Sequence, residues 1–410
     1  MAVEEALDVL LRFGALMLRS GDTAFRVRDA MGLLAVNLAI ERLSVHITIG
    51  GMTATARSGG ASVTLAREIA PLGIDASRIA ALERLARSSK PGLSPGALAA
   101  ELDAIEAVPP IHSLPTVAVA IGLASASFSY LNGGDVLATS AAVAGGCLGQ
   151  AVRMLLFRRR LNQFAVTTLS AILASGFYCL IVLGFGVREF TLAHAVGFIS
   201  AVLFLVPGFP LVASLLDLLQ HQTMAGIARL FYGMLILLAA AFGLSFVAVV
   251  AGLTTAPAAG AGHGIEPIVL LWRAVASFVG GCGFAILYNS PARAVIAVGV
   301  LSLLGNELRL VLHDLGMGLP PATFFGALAV GLLASLVREP LHMPRIALTV
   351  PGIIIMTPGI YAFQTIVLLN QGKVLDAIGA ATVCCFVVGA MAMGLAAARF
   401  VTERRWIVER

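Results

Sequence analysis

Long stretches without a charged side chain limit the fold of this protein more than any other feature. After residue 106, charge-free stretches of at least 13 residues occupy 107–134, 136–152, 161–187, 190–216, 230–265, 274–292, 294–306, 315–337, 346–372 and 377–398. A helix needs about 20 mainly apolar residues to cross a bilayer, because the hydrocarbon layer is about 30 Å thick. Lipid admits only helices or closed barrels, and these stretches are too long and too uniformly apolar for barrel strands. The sequence therefore predicts about ten transmembrane helices.

Two of these stretches need comment. The stretch 294–306 is short, so it spans only if Glu307 and Arg309 lie inside the membrane. The stretch 230–265 is long enough for one helix followed by the loop TTAPAAGAGHG.

Charge is concentrated at the start of the chain. Charged residues make up 12% of the whole sequence, against about 25% in typical globular domains, and hydrophobic residues make up 59%. Residues 1–106 hold 12 acidic and 11 basic groups, and the rest of the chain holds 10 and 16. This composition excludes a disordered chain, a coiled coil and a nucleic-acid binder. We predict a cytosolic α/β domain at 1–110, five-helix membrane repeats at 111–255 and 266–400, and a cytosolic tail at 401–410.

The arginines predict the orientation. If the N-terminal domain is inside, the outer loops hold only Arg188 and Lys373 apart from residues near span ends. The inner loops and tail then hold Arg158, Arg159, Arg160, Arg293, Arg338, Arg345, Arg404 and Arg405. This is the positive-inside bias, and it accounts for the basic balance without a nucleic acid. The acidic start of the chain is unlike a signal peptide. The expected location is the bacterial inner membrane, with the N-terminal domain in the cytosol.

The N-terminal domain reads as mixed α/β. Leucines with helical spacing are interrupted near residues 20–22, and an alternating stretch at 43–49 predicts a strand. A turn at 58–60 precedes a returning strand, and helices follow over about 75–89 and from Pro95. The sequence contains no Walker A loop, GxSxG, HExxH or CxxC motif, and its histidines lack the spacing of metal ligands. We therefore expect no enzyme activity, no cofactor and no metal.

The two halves of the membrane domain resemble each other. The segment GQAVRMLL at 149–156 is similar to GNELRLVL at 305–312, an offset of 156 residues. The PG pairs at 207 and 358, and the GL pairs at 243 and 394, share an offset of 151. Five spans in each half would turn the second half over relative to the first, so we predict inverted repeats.

The fourth span of each half is interrupted by proline and glycine. The first interruption includes Pro207 and Gly208, and the second runs from Pro351 and Gly352 to Pro358 and Gly359. Proline removes a helix hydrogen bond, and the freed backbone groups are tolerated in a membrane only beside protein or a wet cavity. Paired broken helices indicate a transporter's substrate site, although a plain kink or helix end remains an alternative.

Polar residues in the spans supply candidate site residues. Asn132, Asn289, Tyr361 and Gln364 are candidates for binding a polar solute, as are Gln150 and Asn306. Asp217 and Glu307 are candidates for carrying a coupling proton, and Arg153, Arg229 and Arg309 are candidate cavity charges. Each also has a structural reading, as a helix-packing contact, a solvated charge or a snorkelling side chain.

The chain resembles the threonine/serine exporter family of bacterial inner-membrane proteins. The resemblance covers nearly all of its length. It is carried by LRSGDTAFRV at 18–27, VPGFPL at 206–211, DLL at 217–219, GIAR at 226–229, FAILYNSPAR at 284–293, TVPG at 349–352 and TPG at 357–359.

The resemblance implies ten spans, a cytosolic N-terminal domain and proton-driven efflux of small hydroxy amino acids. The expected partners are a small polar substrate and membrane lipid, and a homo-oligomer is possible. Export of dicarboxylates or other organic acids, an intramembrane enzyme and a membrane sensor or scaffold remain alternatives.

Overall fold

The computed structural model describes residues 2–69, 73–253, 266–403 and 406. The predicted loop TTAPAAGAGHG at 254–264 and the tail arginines Arg404 and Arg405 lie outside the described residues.

In the described part of the N-terminal domain, two helices pack against one small sheet and two further helices pack on the first two. Its helices are α1 (Ala2–Arg19), α2 (Ala24–Asn37), α3 (Ala76–Ser88) and α4 (Pro95–Ala107), and its strands are β1 (Arg42–Ile47), β2 (Gly51–Ser58) and β3 (Ala61–Glu68). The strands form an antiparallel sheet in the order β1-β2-β3. The break between α1 and α2 falls at the predicted place, and Ser94 caps α4 by accepting a hydrogen bond from the Ala97 amide at 3.2 Å.

The central strand β2 was not predicted from the sequence. Its inward positions are Met52, Ala54 and Ala56, all at most 2% exposed. Alanine has a low strand propensity and adds little to a hydrophobic alternation, so the pattern that identified β1 and β3 is weak here.

The described residues of the membrane domain form twelve α-helices in two successive sets of six. The first set is α5 (Leu114–Leu131), α6 (Val136–Arg158), α7 (Gln163–Gly184), α8 (Leu192–Ser200), α9 (Gly208–Leu219) and α10 (Thr223–Val250). The second set is α11 (Pro267–Leu287), α12 (Ala292–Asp314), α13 (Leu319–Leu341), α14 (Arg345–Ile353), α15 (Gly359–Asn370) and α16 (Val374–Thr402).

The lengths of these helices agree with the predicted number of spans. Among the described residues, eight helices are long and apolar enough to cross a membrane, and the bent pairs α8–α9 and α14–α15 raise this number to ten. The short stretch 294–306 is completed as expected, because α12 continues through Glu307 and Arg309 to Asp314. The chain is therefore a multi-pass helical membrane protein with a small α/β domain at its N-terminus.

The backbone repeats its local geometry from one half to the other. Left-handed residues end helices at Gly133 and Asn289, at Arg160 and Gly316, and at Gly186 and His342, each pair 156 residues apart. The next pair, His221 and Gly372, is 151 residues apart. The segment 342–372 of the second half is therefore five residues shorter than the equivalent segment 186–221 of the first half. This difference agrees with the two offsets seen in the sequence.

Helix packing follows the same repeat. In the first half, α6 packs on α5 and α7, and α10 packs on α7 and α9. In the second half, α12 packs in the same way on α11 and α13, and α16 packs on α13 and α15. Across the halves, α9 contacts α16 and α15 contacts α10, while α5 contacts α11. Helices α5 and α11 run antiparallel, because a Cβ on Gly283 would approach Ala120 whereas one on Gly280 would approach Ser127.

Close helix crossings explain two of the glycines that repeat in the sequence. A Cβ on Gly243 of α10 would lie 2.6 Å from the Thr168 carbonyl oxygen of α7. A Cβ on Gly394 of α16 would lie 2.5 Å from the Phe324 carbonyl oxygen of α13. Both positions require glycine, since no real Cβ approaches a backbone oxygen so closely.

Candidate functional site

Each half contains a helix break with the same construction. A 3-10 turn at Leu203–Leu205 or Ile354–Met356 is followed by Pro207 or Pro358, and a new helix then begins. The amide of Gly208 donates to the Val206 carbonyl at 2.8 Å, and the amide of Gly359 donates to the Thr357 carbonyl at 2.8 Å. These are inverse γ-turns centred on proline. The helix pairs bend by 40° and 51°.

The position of the second break differs from the prediction. Pro351 and Gly352 lie in the last turn of α14, and the chain breaks only at Pro358 and Gly359. The proline is accommodated in the helix, and the Ser302 hydroxyl of α12 donates to the Gly352 carbonyl at 2.9 Å. Pro351 and Gly352 therefore support the packing of α14 on α12 and lie one turn before the site.

A small, partly open cavity adjoins the second break. Its walls come from α5, α12, α13, α15 and both 3-10 turns, with the lining residues Phe128, Leu131, Asn132, Leu203, Asn306, Arg309, Leu310, Leu319, Ile355, Thr357, Pro358, Ile360 and Tyr361. Its volume of about 50 Å³ is room for a few water molecules. Three predicted site residues (Asn132, Arg309 and Tyr361) thus meet at one place, and the break must open further to admit a larger solute.

Arg309 supplies the positive charge of this cavity. Its Nη1 donates to Asn306 Oδ1 at 3.1 Å, and its buried Nε has no hydrogen-bond partner. Asn306 is 1% exposed and donates in turn to the Ser277 hydroxyl at 2.9 Å. Among the described residues, Arg309 forms no ion pair. The guanidinium and the amino-terminal end of α15, with its partial positive charge, form a setting suited to an anion.

Arg153 is the residue equivalent to Arg309 in the first half. It lies 156 residues earlier, on α6, and its guanidinium carbon lies 5.4 Å from the centroid of the Phe157 ring. Its buried Nε also lacks a partner, and within the described part of the chain it pairs with no carboxylate. Tyr288 and Tyr232 are its electrostatic neighbours.

Asn289 lies away from the cavity, at the junction with the N-terminal domain. Its side chain donates to Asp75 Oδ1 at 3.0 Å and accepts from the Ile111 amide at 2.8 Å. Asn289 has a left-handed backbone (φ 56°), which Asn tolerates better than most residues. The residue therefore fastens the linker and α3 to the end of α11. Gln364 is half-buried on α15 and does not line the cavity beside Pro358.

Asp217 and Arg229 also meet at the junction with the N-terminal domain. Asp217 is fully buried near the end of α9; its Oδ1 accepts from the Phe25 amide at 3.3 Å, and its Oδ2 lies 3.6 Å from Arg229 Nη1. Arg229 Nη2 donates to the Asp22 carbonyl at 2.8 Å. Arg229 is thus committed to the turn between α1 and α2 and adds no free charge to the cavity.

The SGDTAFR segment at 20–26 is therefore a docking turn. Phe25 is 5% exposed and lies edge-on to Trp406 at 5.5 Å between ring centroids. On the domain side, Arg26 pairs with Asp22 at 2.8 Å and with Glu83 at 2.7 Å.

The charges behind the docking turn are strongly coupled. Burial raises the pKa of Asp22, and Arg26 offsets only part of this effect. Burial alone would raise the pKa of Glu83, but attraction to Arg26 and Arg87 outweighs it and lowers the pKa below its usual value. Burial opposes the charge of Arg26, whose pKa is nevertheless raised by Asp22 and Glu83.

A second buried charge cluster was missed in the sequence. The Glu403 carboxylate forms ion pairs with Arg345 at 2.9 Å, Arg338 at 3.4 Å and Arg399 at 3.8 Å. Arg399 also lies 4.9 Å from the Trp406 ring centroid. From the sequence, Arg338 and Arg345 are predicted only as residues of the inner loops. The acidic Glu403 among so many arginines is the sequence feature that could have indicated this cluster.

Glu307 lies on α12, outside the cavity lining. Its Oε1 is buried without a hydrogen-bond partner, and its electrostatic neighbours are Arg273 and Asp314. Arg273 and Asp314 form a buried ion pair of 2.7 Å. In the described part of the chain, no three His, Cys, Asp or Glu side chains lie together as metal ligands would.

The fold and the site define a class of protein: a multi-pass membrane protein with a broken helix in each half, as in secondary transporters. The chain belongs to the threonine/serine exporter family. The family's ThrE model matches residues 8–251, which is more than half of the chain. A second model, "Threonine/Serine exporter, ThrE", matches residues 273–401.

Two curated relatives are similar to parts of the chain, and one of them carries the family's name. A Mycobacterium tuberculosis protein named "Probable threonine/serine exporter" is 26% identical over 388 residues, which cover 88% of this chain and 69% of that protein. A Haemophilus influenzae protein named "Uncharacterized protein" is 32% identical over 103 residues, covering 25% of this chain and 34% of that protein. No solved structure matches the chain.

Proposed function

We propose that the protein is a secondary active exporter of threonine and serine in the bacterial inner membrane. The proton motive force drives it, and the N-terminal domain faces the cytosol. Family membership supports an exporter, and the mycobacterial relative carries the same activity in its name. The single observation that carries the proposal is the cavity beside Pro358, where a broken helix, Arg309 and polar side chains meet.

Alternating access is proposed to arise from two inverted five-span repeats. Its support is the antiparallel contact of α5 with α11, together with the matched breaks at Pro207 and Pro358. In a pair of inverted repeats, the same movement opens one break as it closes the other.

Substrate recognition follows from the charges at the cavity. The carboxylate of an amino acid would bind Arg309 and the amino-terminal end of α15, and Asn132, Thr357 and Tyr361 would hydrogen-bond the remaining polar groups. Asp217 and Glu307 are the proposed proton carriers, because each lies on a membrane helix and has a buried oxygen without a hydrogen-bond partner among the described residues.

A proton on Asp217 has a mechanical consequence. Neutralising this carboxylate weakens its attraction to Arg229 and its acceptance of the Phe25 amide, so the end of α9 loosens from the docking turn. Because α9 begins at the Pro207 break, protonation would release that break on the side that carries the N-terminal domain.

The proposal is tested by transport in proteoliposomes that contain labelled threonine. An imposed pH gradient should accelerate threonine flux through the wild-type protein, whereas Asp217→Asn should transport without responding to the gradient. Asp376→Asn is the control, since this carboxylate is exposed in the first turn of α16 and forms no ion pair among the described residues. Threonine flux that ignores the gradient in the wild type would refute proton coupling, and intact coupling in the Asp217 variant would remove that residue from the role.

Export of another organic acid is the second candidate. The observation in its favour is that Arg309 and Arg153 both lack a carboxylate partner among the described residues, and that no carboxylate lines the cavity. Proteoliposomes loaded either with labelled serine or with labelled succinate separate the two, because a dicarboxylate exporter would transport only succinate.

A further inference from the structure

Among the described residues, several buried polar groups of the first half have no hydrogen-bond partner, and three of them lie on α6 and α7. They are Gln150 Oε1 and Arg153 Nε on α6, and the Ser170 hydroxyl on α7. Gln150 is 2% exposed and Ser170 is fully buried. A buried polar group without a partner destabilises the fold, so three such groups on two adjacent helices call for an explanation.

These groups lie on one face, beside the first break. Gln150 and Arg153 are three residues apart on a helix, and side chains with this spacing are neighbours. Gly149, at the start of the same face, contacts Phe204 of the 3-10 turn that precedes Pro207. Arg153 lies one turn further along α6, towards the C-terminal end of that helix.

The second half shows the same arrangement around its cavity. Gly305 contacts Met356 of the second 3-10 turn, and Arg309 lies one turn further along α12. A Cβ on Gly326 of α13 would lie 3.1 Å from Arg309 Cβ. Gly326 is the equivalent of Ser170 at the offset of 156, so the repeat leads us to infer that Ser170 lies beside Arg153.

The two arrangements differ in the amide oxygen. Asn306 Oδ1 accepts from Arg309, so this oxygen is satisfied within the protein. Gln150 Oε1, its equivalent, accepts from nothing and remains available beside Arg153. The first half therefore offers a cationic donor and a neutral acceptor side by side, whereas the second half offers mainly the cationic donor.

We propose that Gln150 and Arg153 form a second binding site, specific for α-amino acids, at the first break. Arg153 binds the carboxylate and Gln150 accepts from the ammonium group. The Ser170 hydroxyl satisfies the remaining polar group of a hydroxy amino acid. This proposal rests on the proposed function and adds to it that Gln150 supplies an acceptor for the ammonium group at the Pro207 break, whereas the equivalent Asn306 oxygen at the Pro358 break is already bonded to Arg309.

The site lies on the side of the membrane domain that carries the N-terminal domain. Tyr288, an electrostatic neighbour of Arg153, accepts a hydrogen bond from the Ala76 amide of α3 through its carbonyl. An exporter would thus select its cargo at the break near the N-terminal domain and release it at the opposite break, where the acceptor for the ammonium group is already occupied.

The test compares ligands that differ in one group. Full-length protein in detergent is titrated calorimetrically with threonine and with 3-hydroxybutyrate, which keeps the carboxylate and hydroxyl but lacks the ammonium group. Gln150→Leu should weaken threonine binding about tenfold or more and leave 3-hydroxybutyrate unchanged, because it removes one charge-assisted hydrogen bond. Arg153→Gln should weaken both ligands, and Arg153→Lys should restore part of the affinity. Gln220→Leu is the control, since Gln220 lies at the end of α9 outside both breaks, and it should not alter the preference for threonine.

Two results would overturn the site: an unchanged ratio of the two affinities in Gln150→Leu, or wild-type affinity for both ligands in Arg153→Gln. Melting temperatures of the variants identify any that fail to fold, and the Lys variant then carries the test of Arg153. If the wild type binds succinate and no threonine, the proposed function and the role of Gln150 both fail. Loss of succinate binding in Arg153→Gln would still support Arg153 as the carboxylate site.

Discussion

At the scale of single residues, the buried arginines of the membrane domain form two groups, those with a partner inside the protein and those without a carboxylate partner among the described residues. Arg229, Arg345 and Arg399 each face a carboxylate or a backbone oxygen inside the protein. Arg153 and Arg309 have no carboxylate partner among the described residues. A buried arginine that lacks an internal anion is costly to retain, so an anionic ligand is the simplest reason for its presence.

The pH dependence of stability is also decided by single residues. Glu83 has a pKa lowered by Arg26, so its stabilising contribution is complete above its ordinary pKa of 4.5 and is lost as the pH falls. We expect the melting temperature of the purified protein to fall as the pH is lowered below 4.5, and this fall to be smaller in Glu83→Gln.

Asp22 acts in the opposite direction. Its pKa is raised, so its protonation stabilises the folded state, and this stabilising contribution is lost as the pH rises from 3.8. Glu68→Gln serves as the control for the Glu83 variant, since Glu68 lies on the edge strand β3 and forms no ion pair among the described residues. An equal fall in melting temperature in Glu83→Gln and the wild type would contradict the assignment.

At the scale of elements, the breaks were predicted more reliably in number than in position. The sequence has two proline–glycine pairs in the second broken span, at 351 and at 358, and only the second interrupts the helix. Local sequence does not distinguish them, because the outcome depends on α12, whose Ser302 bonds to the Gly352 carbonyl.

The two prolines should therefore respond differently to substitution. Pro358→Ala allows the amide at 358 to hydrogen-bond and favours a continuous helix across the break, so we expect threonine transport to fall about tenfold or more. Pro351→Ala adds an amide inside an existing helix and should leave transport within about twofold of the wild type. Transport rates in proteoliposomes measure both, and similar losses in the two variants would show that the break has no special role.

Local sequence explains why some residues near the cavity could be predicted and why others could not. Arg309 and Tyr361 could be predicted from their proximity in sequence to a broken helix or a weak span. Asn289 was misplaced, since its role depends on a long-range contact with Asp75, some 214 residues away. The strand β2 was missed because its inward residues are small, and docking of the N-terminal domain left no periodic pattern in the sequence.

At the scale of the whole molecule, the N-terminal domain is held to the membrane domain by the docking turn. Phe25→Ala removes a buried aromatic side chain that packs on Trp406, and a substitution of this kind costs about 3–5 kcal/mol. We expect the domain to detach, which would release the linker at 108–113 from its hydrogen bonds to Asn289 and Ser290. Faster cleavage of this linker by a protease measures the detachment.

Leu33→Ala is the control for this variant, since Leu33 lies on the same helix and is 48% exposed. Equal cleavage rates in Phe25→Ala and Leu33→Ala would mean that the docking turn contributes little to holding the two domains together.

The cavity beside Pro358 has walls from both halves of the chain. Phe128, Asn132 and Leu203 come from the first half, and Arg309 and Tyr361 come from the second. A solute bound there is a temporary cross-link between the two bundles. The halves cannot separate at this point while it remains, so departure of the cargo and relaxation of the protein are a single event, and an empty exporter is free to reset.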